Sequence, residues 1–173
     1  ANHYLSDTEL GLLSISSQLS DIILFLPISI ATVLFPKLSS GESFSLKKLS
    51  MIVFASMILM WCGVVFVGEF LISLVFGSDF AGANEMLSQF FPALITYSLL
   101  SVLSQFFVPK ISTWYLSAIW AIGAAIVFTR SAWQGADYTI VSGAVALTVG
   151  YAFVYLAMLS LYISRASLGV DLK

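Results

Sequence analysis

Residues 10–36 read LGLLSISSQLSDIILFLPISIATVLFP, and whether they cross a membrane decides the fold. Their uncharged part, residues 22–36, is too short to span, because a membrane-crossing helix needs about 20 predominantly apolar residues. The stretch is long enough only if the helix reaches back to about Leu10 and carries Asp21 inside. Four other segments need no such concession. Residues 49–68, 86–109, 111–129 and 138–164 are each long, apolar and free of charge.

Composition leaves little room for a water-soluble alternative. The chain of 173 residues is 60% hydrophobic and 9% charged, against about 25% charged residues in a soluble domain. Too few charges exist to build a water-facing surface, so lipid must face much of the protein. The net charge of −2 gives no hint of nucleic-acid binding. Cys62 is the only cysteine, which excludes an internal disulfide and a cysteine metal site; a small buried side chain is expected there.

The basic residues settle the number of crossings. Lys37, Lys47 and Lys48 lie between the first and second segments, Lys110 between the third and fourth, and Arg165 and Lys173 after the fifth. With five crossings these six fall on one side and Arg130 alone on the other. Lys and Arg concentrate in cytoplasmic loops, so that side and the C-terminus are expected in the cytoplasm. One helix more or fewer would mix the two groups. The expected fold is therefore all-α, a polytopic transmembrane bundle of five helices, near 9–36, 47–76, 85–108, 111–130 and 138–164, in one unit over 1–173.

Punctuation agrees. Asp7 or Thr8 caps the first helix with Glu9 in its first turn, and Pro36 is expected to close it. Residues 39–41 (SSG), 77–83 (GSDFAGA), Pro109 and 133–137 (WQGAD) mark the connections. Each loop is far shorter than the ~50 residues a domain needs. Trp133 and Tyr138 suit the outer interface, and Trp114, Tyr115 and Tyr162 the inner one. Residues 1–5 lack the basic and apolar regions of a targeting segment, and Ala1 stands where an initiator Met would; the chain is expected to be a piece of a longer protein.

The first helix carries a polar stripe. Ser14, Gln18, Asp21, Ser29 and Thr32 recur at spacings that share one helical face. Turned to lipid, Asp21 alone would cost several kcal/mol. The stripe must meet protein or a water-filled cavity. Two readings stand: a helix lining a solute pathway and bending at Pro27, or a structural hydrogen-bond network between packed helices. Glu69, near the outer end of the second helix, either reaches interfacial water or serves a cation site or gate. In the third helix Tyr97, Ser101, Ser104 and Gln105 share a face, as helix-to-helix glue or as a cavity lining. Small residues at Ser117, Ala121 and Ala125, and at Ser142, Ala146 and Gly150, read as close helix packing.

Enzyme signatures are absent. His3 is the only histidine, and there is no Ser–His–Asp set, H-E-x-x-H, P-loop or G-x-G-x-x-G. Catalysis is not expected.

Residues 5–40 (LSDTELGLLSISSQLSDIILFLPISIATVLFPKLSS) resemble the flippases of bacterial polysaccharide biosynthesis, whose pattern is close to LSxxEvGxYSxAxxL followed by an apolar run ending in vLFPxLS. Gly11, Ser14, Leu34, Phe35, Pro36, Leu38 and Ser39 match. Residues 75–83 (VFGSDFAGA) are similar to the family's lFGxxFxgA. Gly135-Ala136 and Gly143-Ala144, leading into Gly150-Tyr151, are a looser match to its G-x-x-G-A-A…Y segment. Leu13 stands where Tyr is usual, and the loop over 37–48 is shorter than typical.

This resemblance covers the whole chain and implies helices eight to twelve of a multidrug/oligosaccharidyl-lipid/polysaccharide exporter, its C-terminal lobe. The implied substrate is undecaprenyl-diphosphate-linked oligosaccharide, flipped outward across the bacterial cytoplasmic membrane. Implied partners are membrane lipids and an N-terminal lobe, which would supply the cations for the diphosphate. No cofactor is implied beyond a coupling cation, H+ or Na+, with Asp21 and Glu69 as ion-coupling or network residues. The rival readings are a multidrug or lipid II exporter of the same superfamily and a non-transporting membrane subunit.

Overall fold

A computed structural model of the chain describes residues 7–39, 45–108, 111–134 and 139–167. Those residues form α1 (Asp7–Ser39), α2 (Leu46–Gly63), a π turn (Val64–Gly68), α3 (Glu69–Phe76), a 3-10 turn (Ser78–Phe80), α4 (Ala83–Phe107), α5 (Thr113–Gln134) and α6 (Ile140–Ser167). The π turn joins α2 and α3 into one rod. The result is an all-α bundle with five helices long and apolar enough to cross a membrane, including the one that carries Asp21. That is the make-up of a multi-pass membrane protein.

The α4 helix is the hub. It packs against α1 on one side, α6 on another and α2 on a third, while α5 packs on α6. Ile23 of α1, Val53 and Met57 of α2, and Leu87, Phe91, Leu94, Val102 and Phe106 of α4 make one apolar core. Leu100, Leu103 and Phe107 of α4 join Val154 and Met158 of α6, with Ile111 just before α5 and Leu116 of α5, in a second. The outward faces are apolar, as lipid contact would require: Phe66 is 84% and Trp133 89% exposed.

Local chemistry sets the ends. Ser45 caps α2, its hydroxyl accepting from the Lys48 N–H. Gly77 stops α3 with φ at +98°, a conformation L side chains resist, and its N–H still bonds the Ser73 carbonyl. Glycines also set two crossings. Gly123 of α5 faces Gly150 of α6, and a Cβ on either would run into Val154 or Val127. Gly68, in the π turn, abuts the Asn84 amide at the start of α4.

Three expectations change here. Pro36 does not end α1, which runs one turn further to Ser39; a proline near a helix end forfeits a single backbone bond while its fixed φ remains helical. Cys62 is exposed, because it lies on a face of α2 whose apolar surroundings are not protein. Ser117, Ala121 and Ala125 are exposed too, and α5 meets α6 through Leu116 and Gly123 instead. Tyr162 also packs its ring edge-on against Phe106 and Phe107, a contact the sequence did not show. The connections expected at residues 39–41, Pro109 and 135–137 fall wholly or partly outside the described residues, as do Lys110, Tyr138, Lys173 and His3.

Candidate functional site

The faces of α1 sort by partner. Ile15, Ser16, Ile23, Pro27 and Ala31 are buried, spaced so that they form the seam against α4. Ser16 sits in that seam with no exposed surface, its hydroxyl shared between the Leu12 carbonyl (2.8 Å) and the Ala83 carbonyl of α4 (2.9 Å). In an apolar setting that inter-helix bond fixes the height of α1 against α4.

The opposite face is uncovered. Ser14, Gln18, Asp21 and Thr32 are all exposed and Ser29 is half-buried. Gln18 donates to Ser14 at 3.4 Å, and Thr32 returns its hydroxyl to the Ile28 carbonyl at 2.8 Å. Pro27 is fully buried and α1 stays helical through it.

Between these faces α1, α4 and α6 enclose an open groove of about 530 Å³. Asp21 lies on its wall beside Ser17 and Ser20, with Phe25 one turn on. Phe90 and Tyr97 of α4 and Tyr151 of α6 face them. Tyr97 and Tyr151 contact across the α4–α6 seam, centroids 5.2 Å apart and planes tilted by 52°. The groove is thus aromatic and aliphatic, with one carboxylate and the hydroxyls of two serines and two tyrosines among its described lining residues. Among the described residues no Lys or Arg lines it.

Of the residues singled out in the sequence, the fold brings Asp21 and Tyr97 together. Ser14 and Gln18 stand on the same polar side of α1 but outside the groove. Glu69 is exposed at the start of α3, directly after the π turn, and does not line the groove. Gln105 is half-buried lower on α4, also outside it. Below Tyr97 only Ser104 acts as glue between helices, its hydroxyl donating to the Met158 sulfur at 3.6 Å, while the Ser101 hydroxyl donates to the Ser98 carbonyl of its own helix.

Sequence reasoning missed Ser16, Ser17, Ser20 and Tyr151. For Ser17 and Ser20 the signal was present, since with Asp21 and Leu24 they repeat at three, four and seven residues, one helical face. Tyr151 stood in the sequence only as the end of a loose motif match, because only the packing of α6 on α4 brings its ring into the groove that Asp21 lines. Among the described residues no three His, Cys, Asp or Glu side chains gather to hold a metal ion. Comparison with known proteins returns no matching family model, curated protein or solved structure.

Proposed function

We propose that this chain is the C-terminal lobe of a transporter that flips undecaprenyl-diphosphate-linked oligosaccharide across the bacterial cytoplasmic membrane. The motifs in residues 5–40 and 75–83 support the family. The observation that carries the transport reading is the uncovered polar face of α1, with Asp21 on the wall of a groove. A carboxylate turned to lipid at mid-helix costs about 2.5–3.5 kcal/mol or more. Water in a solute pathway, or a facing lobe, removes that cost. Alternating access would then rock the two lobes about this face, with the basic ends of the helices and the C-terminus in the cytoplasm. The diphosphate needs cationic partners, and the groove lining has none, so a second lobe must supply them.

A second reading has its own support. A carboxylate among Phe25, Phe90, Tyr97 and Tyr151 suits an organic cation, through charge and through the ring faces. That favours a multidrug exporter of the same superfamily.

One variant tests both. In the intact protein, Asp21→Asn is expected to lower surface-glycan export several-fold with membrane expression near normal. Unchanged glycan export alongside lost efflux of an organic cation would replace the first reading with the second. Full activity in both assays would reduce Asp21 to a structural network residue.

A further inference from the structure

A second groove, of about 660 Å³, runs along one face of α5. Its floor is Ile122, Ala125 and Ile126, and Val149 of α6 forms a wall. At one end stand Thr129, Arg130 and Trp133. The polar end and the apolar floor lie at different depths. The spanning part of α5, Thr113–Trp133, is 21 residues, about 31 Å at 1.5 Å per residue, close to the thickness of a hydrocarbon core. Arg130 therefore lies within about 5 Å of one membrane surface, and Ile122 about 12 Å deeper.

Two donors at the mouth are unused. Arg130 is exposed and has no acidic partner among the described residues. The helical threonines Thr32, Thr96 and Thr148 each return their hydroxyl to the carbonyl four residues earlier, at 2.8 Å. Thr129 does not; among the described residues its hydroxyl makes no hydrogen bond. A guanidinium and a free hydroxyl on successive residues present a donor array that suits a phosphate. Trp133, 89% exposed, adds the amphipathic ring that favours the headgroup layer.

We infer that this groove binds an anionic phospholipid, its phosphate held by Arg130 and Thr129 and one acyl chain laid over Ile122, Ala125 and Ile126. The charge at the mouth favours an anionic headgroup over a zwitterionic one, and the apolar floor takes the chain that a free phosphate lacks. The site stands apart from the Asp21 groove and does not depend on the transport reading.

Native mass spectrometry of the intact protein in detergent tests it, with phosphatidylglycerol and phosphatidylcholine of the same chains as probes. Phosphatidylglycerol is expected to bind better. Arg130→Gln should weaken it about tenfold, and Thr129→Val by a smaller factor. Ala125→Trp, which fills the floor from an exposed position, should displace it with Arg130 intact. A phosphatidylglycerol carrying a photoreactive group on its acyl chain should label α5 between Ile122 and Ile126. Equal binding of the two lipids, binding unchanged in Arg130→Gln, or labelling confined to other helices would each overturn the assignment.

Discussion

Tyr97 of α4 and Tyr151 of α6 touch with ring centroids 5.2 Å apart, and this pair forms the wall opposite Asp21. Tyr151 also lines a separate groove between α5 and α6, together with Leu147 and Gly150. One aromatic ring thus partitions two cavities. Tyr151→Phe keeps the ring and is expected to cost under about 1 kcal/mol. Tyr151→Ala should merge the grooves and cost about 2–3 kcal/mol, less than a fully buried aromatic because Tyr151 is half-buried. Thermal unfolding of the solubilised intact protein measures both.

The α5–α6 crossing depends on having no side chain at Gly123 and Gly150. Gly150→Ala places a Cβ against the Val127 side chain and 3.2 Å from the Gly123 carbonyl oxygen. The helices must separate, at a cost of about 1–3 kcal/mol. Gly63→Ala is the contrast. Its Cβ would meet nothing within 4 Å, so it should be neutral or stabilising by up to about 1 kcal/mol. Equal melting temperatures for the two variants would contradict the crossing.

Ser16→Ala removes the one side-chain hydrogen bond from α1 to the α4 backbone among the described residues, an expected loss of about 0.6–2 kcal/mol. Ser20→Ala should change less, because the Ser20 hydroxyl bonds only the Ser16 carbonyl of its own helix. Faster proteolysis between α1 and the rest in the first variant alone would be the readout.

Gly77→Ala tests conformation without crowding. A Cβ there meets no atom within 4 Å, but the backbone sits at φ +98°. A cost of about 1–2 kcal/mol is expected from backbone strain alone. A melting temperature equal to that of the wild type would mean that the turn relaxes.

Orientation is open to thiol labelling in a Cys62→Ala background, which removes the exposed native thiol. Ser78→Cys, in the turn between α3 and α4, should react with an impermeant reagent from outside the cell. Ser45→Cys, at the start of α2, should react only after the membrane is opened. The reverse pattern would invert the topology, and labelling of both from one side would break the five-crossing count.

Much of this architecture was legible in residues 10–36 and in the seven basic residues. Lipid is a uniform solvent, so length, apolarity and flanking charge act on each helix separately and can be read from each separately. That logic brought Asp21 into the membrane. It failed where a helix has two unlike neighbours. The small residues of α5 looked like a packing seam, but Ala121 and Ala125 are exposed and Gly123 makes the crossing. In a chain this apolar, hydrophobicity cannot tell the face that meets protein from the face that meets lipid.

The sequence by itself thus determined the class of the protein, its five helices and the presence of a carboxylate in the first of them, because each follows from the bilayer's thickness and its intolerance of charge. Only the tertiary structure decided which side of α1 is covered, that Asp21 shares a groove with Tyr97 and Tyr151, and that Glu69 and Gln105 do not join them. Those outcomes rest on α4 packing against α1 and α6 together, a matter of side-chain shape and close backbone approach that no single helix encodes.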